Sequence, residues 1–322
     1  MRGEGRDALP GFIAFPVPFL PFCGMSMNWQ LFVALKAVKS RLPFGEALRR
    51  FKRRKVGYRP HPSNIGSTVE DLARLYALLH AQGGRMSGTV LEIGTGWFPI
   101  SGILARLAGA ERVILTDITP HMDALTFATA REIVTERLDQ LAPLFGFDAA
   151  AARATLADAH TPEALGLDYH APFRLDAIPD RSLDVVISRA CLEHIPVPDL
   201  RGLMAGLFGK LRDDGVMIHA IDNGDHLAQI DRGISRLNFL TWSERKHALI
   251  GRLMLAGENR LRHQQYAELF REAGYRVAAE DRFIHEPTRQ QVGALALVPP
   301  YDSMTPDELA TVTSWFMLRP GR

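Results

Sequence analysis

The stretch that most restricts this 322-residue chain is Val90-Leu91-Glu92-Ile93-Gly94-Thr95-Gly96-Trp97-Phe98-Pro99. An apolar run leads into an acidic residue, then two glycines one residue apart, then a segment with helical periodicity. Glycines at 94 and 96 allow a tight turn and a close backbone approach to a ligand at the C-terminal end of a strand. A second apolar run, Arg112 to Asp117, ends in a carboxylate 21 positions beyond Gly96, where the two hydroxyls of a ribose can be accepted. Strand, glycine turn, helix, strand and terminal Asp in register define a nucleotide crevice, not an ordinary turn.

The same alternation continues along the chain. Thr89 to Ile93, Arg112 to Asp117, Leu183 to Ser188, Val216 to Ile221 and Tyr275 to Ala279 read as strands. Pro99 to Ala108, Pro120 to Leu138, Pro198 to Leu211 and His263 to Ala273 read as helices, and an earlier helix carries Val69, Leu72, Leu75, Leu78 and Leu79 with Ser67 or Thr68 as its cap. Near the end, Thr305-Pro306-Asp307-Glu308 is a capping box that opens a short helix, and Val312 to Leu318 is one more strand. Strands alternating with helices give an α/β fold, a Rossmann-like seven-stranded, mostly parallel sheet with helices on both faces.

Charge divides the chain. Residues 1–60 hold 12 Lys and Arg against 3 Asp and Glu, whereas the whole chain carries only +2. Residues 1–60 are therefore read as a basic amphipathic N-terminal arm, with Leu31, Phe32, Leu35 and Val38 at helical spacing and a run at Arg49 to Lys55, and residues 61–322 as the catalytic domain. The arm is either a contact for a membrane surface or an acidic ligand, or a solvated helix packed on the acidic body. The greasy stretch Gly11 to Phe22 is too short to span a bilayer and is broken by Pro16, Pro18 and Pro21; Met25 or Met27 is an alternative start. Two cysteines, Cys23 and Cys191, form no framework and point to a reducing, cytoplasmic setting.

Two cofactor classes use such a glycine turn. A dinucleotide site wants a third glycine where Pro99 stands, and Glu92 would repel a pyrophosphate but suits a cationic ligand. With Asp117-Ile118-Thr119-Pro120, Ser182 to Ile195 around Leu192-Glu193-His194-Ile195, and Leu211-Arg212-Asp213-Asp214-Gly215-Val216, the Glu92 to Gly96 motif resembles the class I S-adenosylmethionine-dependent methyltransferases in the right order over about residues 69–277. The resemblance implies that Gly94 and Gly96 approach the methionine moiety and that Glu92 orients the loop or the amino group. It also implies that Asp117 holds the ribose, with Thr95, Ile118 and Ser188 in the same pocket and Asp176 as the adenine-side acid. Phe98 replaces the family's third glycine.

On the acceptor side, His194, Asp222 and His226 are the candidate catalytic residues, as bases or substrate contacts at the C-terminal sheet edge. His194 is also explicable as a capping or packing histidine. A metal held by His219, Asp222 and His226 matches no common ligand spacing, and no metal is assigned. The connection at about 223–262 is long enough to be a helical lid; its Arg260 or Arg262 could clamp an acidic group, and its Phe239 and Trp242 could pack or line a site. The expected activity is O- or N-methylation of a small molecule with S-adenosyl-L-methionine. The alternatives are a methyltransferase for a lipid or glycan intermediate at a membrane surface, reached through the basic arm, and a nicotinamide-dependent oxidoreductase. Nucleic acid is not an expected substrate, because the body is acidic and lacks an Asn/Asp-Pro-Pro-aromatic motif.

Overall fold

The computed structural model describes residues 26–41, 59–254 and 257–321. Seven strands form one sheet: β1 (Gly88–Ile93), β2 (Ala110–Thr116), β3 (Leu167–His170), β4 (Leu183–Arg189), β5 (Leu211–Asp222), β6 (Tyr275–Ile284) and β7 (Thr311–Pro320). Their order is β3-β2-β1-β4-β5-β7-β6. β1 to β5 pair in parallel, and β7 runs antiparallel between β5 and β6. The expected Rossmann-like architecture is what the chain adopts.

Side chains alternate across the sheet as strand geometry requires. Val90, Val185, Ile187, Val216, Ile218, Trp315 and Met317 face one core, with helices α2 (Pro62–Ala81), α3 (Ile100–Leu107), α4 (Ala124–Thr135) and α5 (Leu138–Phe145) against them. Leu91, Val186, Met217, Ile221, Phe316 and Leu318 face the other, packed by α7 (Val197–Lys210) and α9 (His263–Glu272). Between α5 and β3 lies α6 (Ala149–Asp158), between β5 and α9 lies α8 (Glu244–Met254), and short helices α10 (Glu286–Gln291) and α11 (Pro306–Ala310) precede β7. Both faces being covered explains why the strands read as nearly continuous apolar runs.

Three boundaries differ from expectation. Helix α2 begins at Pro62, capped by the His61 side chain, because Ser67 and Thr68 bond back to the Asn64 carbonyl inside the helix instead of capping it. Helix α4 begins at Ala124, not near Pro120, because Asp123 and Thr126 build a reciprocal capping box there. Strand β3 is short, lies at the sheet edge and carries Asp168, Tyr169 and His170, so its sequence shows no apolar run. At the other end the Thr305 capping box and β7 fall where the sequence places them.

The helix of the basic arm, α1 (Trp29–Arg41), packs against the 223–262 connection. Trp29 stacks on Trp242 with ring centroids 5.1 Å apart, and its backbone N–H donates to Asp231 Oδ2 at 3.0 Å. The buried residues are Trp29, Val33 and Ala37, with Phe32 half-buried against the same core, whereas the rest of the apolar row faces outward: Leu31 and Leu35 are 53% exposed and Val38 63%. Indole stacking against the connection selects the narrower Trp29–Val33–Ala37 stripe over the aliphatic one. Residues 1–25 and 42–58, with the Gly11 to Phe22 stretch and the Arg49 to Lys55 run, lie outside the described residues. No helix among the described residues is long and apolar enough to cross a membrane.

This orientation separates two substitutions. Trp29→Ala should lower unfolding free energy by about 3–5 kcal/mol, as large buried aromatics do. Leu35→Ala should stay within about 0.5 kcal/mol. Urea unfolding of both variants checks which face of α1 is buried.

Candidate functional site

The turn after β1 is fixed by its backbone. Gly94 (φ +77°) and Gly96 (φ +68°) are both in the left-handed region, which L side chains enter only with strain. A Cβ on Gly94 would lie 2.3 Å from Cys191 Sγ, so the turn presses on the chain leaving β4; a Cβ on Gly96 would meet nothing within 4 Å. The N–H groups of Gly94 and Thr95 donate to the Thr116 carbonyl at 2.9 and 3.0 Å, locking the turn to the end of β2.

Glu92 lies beneath this turn, 5% exposed. Its Oε2 accepts from Thr95 Oγ1 at 3.2 Å, and the Ser101 hydroxyl and the Gly102 N–H in the first turn of α3 face it. It therefore joins strand, turn and helix N-terminus, where a carboxylate is favoured by the helix dipole. Burial, opposed by these hydrogen bonds, raises its pKa to about 7. Asp117 follows β2; its Oδ2 accepts from the Gly96 N–H at 2.9 Å and its Oδ1 from the Ile118 N–H at 2.8 Å. Each oxygen keeps a lone pair for a further donor. Ile118 stands 81% exposed beside it.

The structure does not gather every residue of the expected set here. Asp176 lies in a short turn and is ion-paired to Arg174 at 2.6 Å with its side chain turned to solvent; β3 places His170, paired in register with Thr116, beside Asp117 instead. Ser188 is fully buried and shares a 2.8 Å hydrogen bond with His219 Nδ1. His219 stacks on Phe270, facing α9, and burial holds its pKa down to about 3, so it stands apart from Asp222 and His226. Arg260 donates to the Phe239 and Trp242 carbonyls, and buried Arg262 to those of Asn223 and Thr311. Their guanidinium groups hold the connection to the sheet, so neither is a free clamp, and Phe239 and Trp242 are buried packing residues.

His194, Asp222 and His226 do come together, with two acids that the sequence analysis left unassigned. Ala190 (φ +46°) turns the chain out of β4, and Cys191 leads into the helical turn Leu192–His194. Asn259 clamps that turn: its backbone N–H donates to the Glu193 carbonyl at 2.5 Å, and its Nδ2 to Leu192 and Ile195 at 2.8 and 3.0 Å. The rings of His194 and His226 meet edge to face, centroids 5.0 Å apart. His226 Nε2 lies 3.4 Å from Asp222 Oδ2, and its Nδ1 lies 3.1 Å from Glu258 Oε1. Burial works against a charge on His226, but Asp222 and Glu258 prevail and raise its pKa to about 10. Burial and the Asp222 charge raise Glu193 to about 8, and burial takes Glu258 to about 7. Burial and the neighbouring His226 hold His194 below the usual imidazole value. Glu193 was visible in the Leu-Glu-His-Ile motif; Glu258, 32 residues beyond His226, had no local signal.

Residues 66–280 match the profile of a family described as a methyltransferase domain, and the chain belongs to that family. It is a class I S-adenosylmethionine-dependent methyltransferase, and the oxidoreductase alternative falls. No curated protein matches the chain. Among solved structures it is similar to a methyltransferase of Haloferax volcanii in complex with the Trm112 activator (18% identity, 80% of this chain, 92% of that one, TM-score 0.42). It is also similar to an S-adenosylmethionine-dependent methyltransferase of Mesorhizobium loti (16%, 78% and 99%, TM-score 0.44). A third is phosphoethanolamine N-methyltransferase 2 of Haemonchus contortus (16%, 77% and 52%, TM-score 0.42).

Gly96→Ala should cost about 1 kcal/mol, the backbone term alone, and Gly94→Ala at least about 2 kcal/mol, because it must also displace Cys191. Denaturant titration reads both. The raised pKa of Glu92 means that the folded chain holds a proton the unfolded chain releases, so its stabilising share is complete in acid and is lost as pH rises towards 7. Glu92→Gln should flatten that fall, measured as unfolding free energy between about pH 5 and about pH 8.

Proposed function

We propose that the chain transfers a methyl group from S-adenosylmethionine to oxygen or nitrogen of a small molecule, seated between the Gly94–Gly96 turn and the His194–His226 cluster. The observation that carries this reading is the contact of Gly94 with Cys191, three residues before His194. It supports placing His194 on the same side of the sheet edge as the turn.

The cofactor suits the turn on the chain's own geometry. Beside Gly96 there is space for a ligand against bare backbone, and Asp117 has acceptor capacity left for ribose hydroxyls. Glu92 and Thr95 hold the turn in shape from below, and Ile118 offers an apolar wall. Asp176 and Ser188 have no part in this assignment. The bound cofactor supplies an electrophilic methyl group; the chain must align a nucleophile and remove its proton.

His194, exposed on one side, is the member of the cluster that an acceptor would reach first, and it receives the acceptor's proton there. Asp222 and His226 orient the acceptor and balance its charge. A narrow cleft lined by Phe239, Trp242, Ile250, Met254 and Glu258 adjoins this cluster. It is lined by no residue of the Gly94–Gly96 turn and is not the seat of the acceptor; residues 223–262 are read as a lid over the rest of the 61–322 domain.

A second reading, methylation of a lipid or glycan intermediate, is favoured by the outward row Leu31, Leu35 and Val38 on α1. Co-sedimentation with anionic liposomes, lost in Leu31→Ser/Leu35→Ser, would support it.

Asp117→Asn should weaken S-adenosylhomocysteine binding at least about tenfold by calorimetry. His194→Ala and His226→Ala should instead lower the rate about 10²–10⁴-fold and leave that affinity unchanged. Turnover of labelled S-adenosylmethionine against a panel of small hydroxyl and amine acceptors reads the rate. Unchanged binding in Asp117→Asn, or no transfer to any of them, overturns the proposal.

A further inference from the structure

We propose that Glu193, His194 and His226 form a binding site for one divalent first-row transition-metal ion. One ligating atom from each residue lies within 4.8 Å of the others, close enough for small side-chain movements to bring all three onto one ion. Two histidines and a carboxylate are the donor set that suits Fe(II), Mn(II), Co(II) or Zn(II) and disfavours the all-oxygen ions Mg(II) and Ca(II).

The independent observation is Glu193. Its side chain is buried, 1% exposed, yet neither carboxylate oxygen has a well-aligned hydrogen-bond partner; only the N–H groups of its own residue and of Asp222 approach it. Burying a charged carboxylate with so few donors costs several kcal/mol unless it takes up a proton or a cation compensates it, and a bound ion would displace that proton. Hydrogen bonds from the Asn259 backbone and side chain hold the backbone of its turn in place.

The histidines are dressed as metal ligands usually are, with one ring nitrogen occupied by an outer acceptor. His194 Nδ1 lies 3.2 Å from the Gly257 carbonyl, which can only accept, so Nδ1 carries the proton and Nε2 the lone pair. His226 Nδ1 faces Glu258 Oε1 at 3.1 Å, and its Nε2 would release the proton that its acid neighbours hold on it when a cation binds. Asp222 Oδ2, 3.4 Å from that Nε2, stands ready as a fourth ligand or as the partner of a bound water.

This deepens the function proposed above and rests on it only for its chemical purpose. A cation here would ligate an acceptor hydroxyl entering past His194 and lower its pKa. With the ion bound, His194 would hold it through Nε2 in place of taking the proton itself, and the proton of the ligated hydroxyl would leave to solvent.

The test uses the tag-free full chain, stripped with chelator and titrated with Co(II). Equilibrium dialysis should find one equivalent bound, with the ligand-field absorption of a nitrogen–oxygen site. Glu193→Gln should abolish that band, and Glu258→Gln, which removes only the outer carboxylate, should weaken Co(II) binding about tenfold or more. Both variants should still bind S-adenosylhomocysteine, which shows that they are folded. Absence of saturable binding by the parent chain, or an identical spectrum and affinity in both variants, overturns the site. Co(II) binding without methyl transfer to any acceptor would sink the functional reading and leave the metal site standing.

Discussion

One steric contact governs the arrangement of this molecule: the bare Cα of Gly94 against the sulfur of Cys191. Parallel pairing of β1 with β4 brings the two strand ends side by side, but only a residue without a side chain lets the following turns interlock. From that contact follow both halves of the site. On one side the turn is pinned to Thr116 and Asp117; on the other, Ala190 turns the chain outward and delivers Glu193 and His194 to the sheet edge. Any change in the gap between the two turns would move donor and acceptor groups relative to each other, and in-line transfer tolerates little of that.

The electrostatics divide in the same place. Beneath the cofactor turn a single carboxylate, Glu92, is surrounded by hydrogen-bond donors from a threonine, a serine and a helix N-terminus. Across Cys191, three acids share two imidazoles. The first arrangement holds a loop in shape. The second gathers buried acids and a histidine whose pKa values are all pushed from their ordinary range, a frequent sign of a functional site.

What could be read directly from the sequence was what period and turn chemistry encode. Central strands such as Leu183 to Ser188, buried on both faces, announce themselves as apolar runs, and the Thr305 capping box announces its helix. β3 was invisible because an edge strand of four residues with an Asp and a His has no period to show. Which face of α1 packs was not legible, because Trp29, Val33 and Ala37 make a leaner stripe than Leu31, Leu35 and Val38, and the partner Trp242 lies far along the chain. The arginines of the connection misled for a related reason. A charged side chain in a lid suggests a ligand, but Arg262 spends its donors on backbone carbonyls that a long irregular segment would otherwise bury unpaired. Glu258 joins His226 only through the path of that segment, which no local pattern specifies.

The antiparallel strand β7 sits between β5 and β6 although it comes after both in the chain. β6 therefore has no neighbour in the sheet until residues 311–320 arrive, and β5 has an open edge for the same interval. The turn after β1 therefore rests on strands that pair without β7, whereas the edge at Asp222, opposite Thr313, is complete only with residues 311–320 in place.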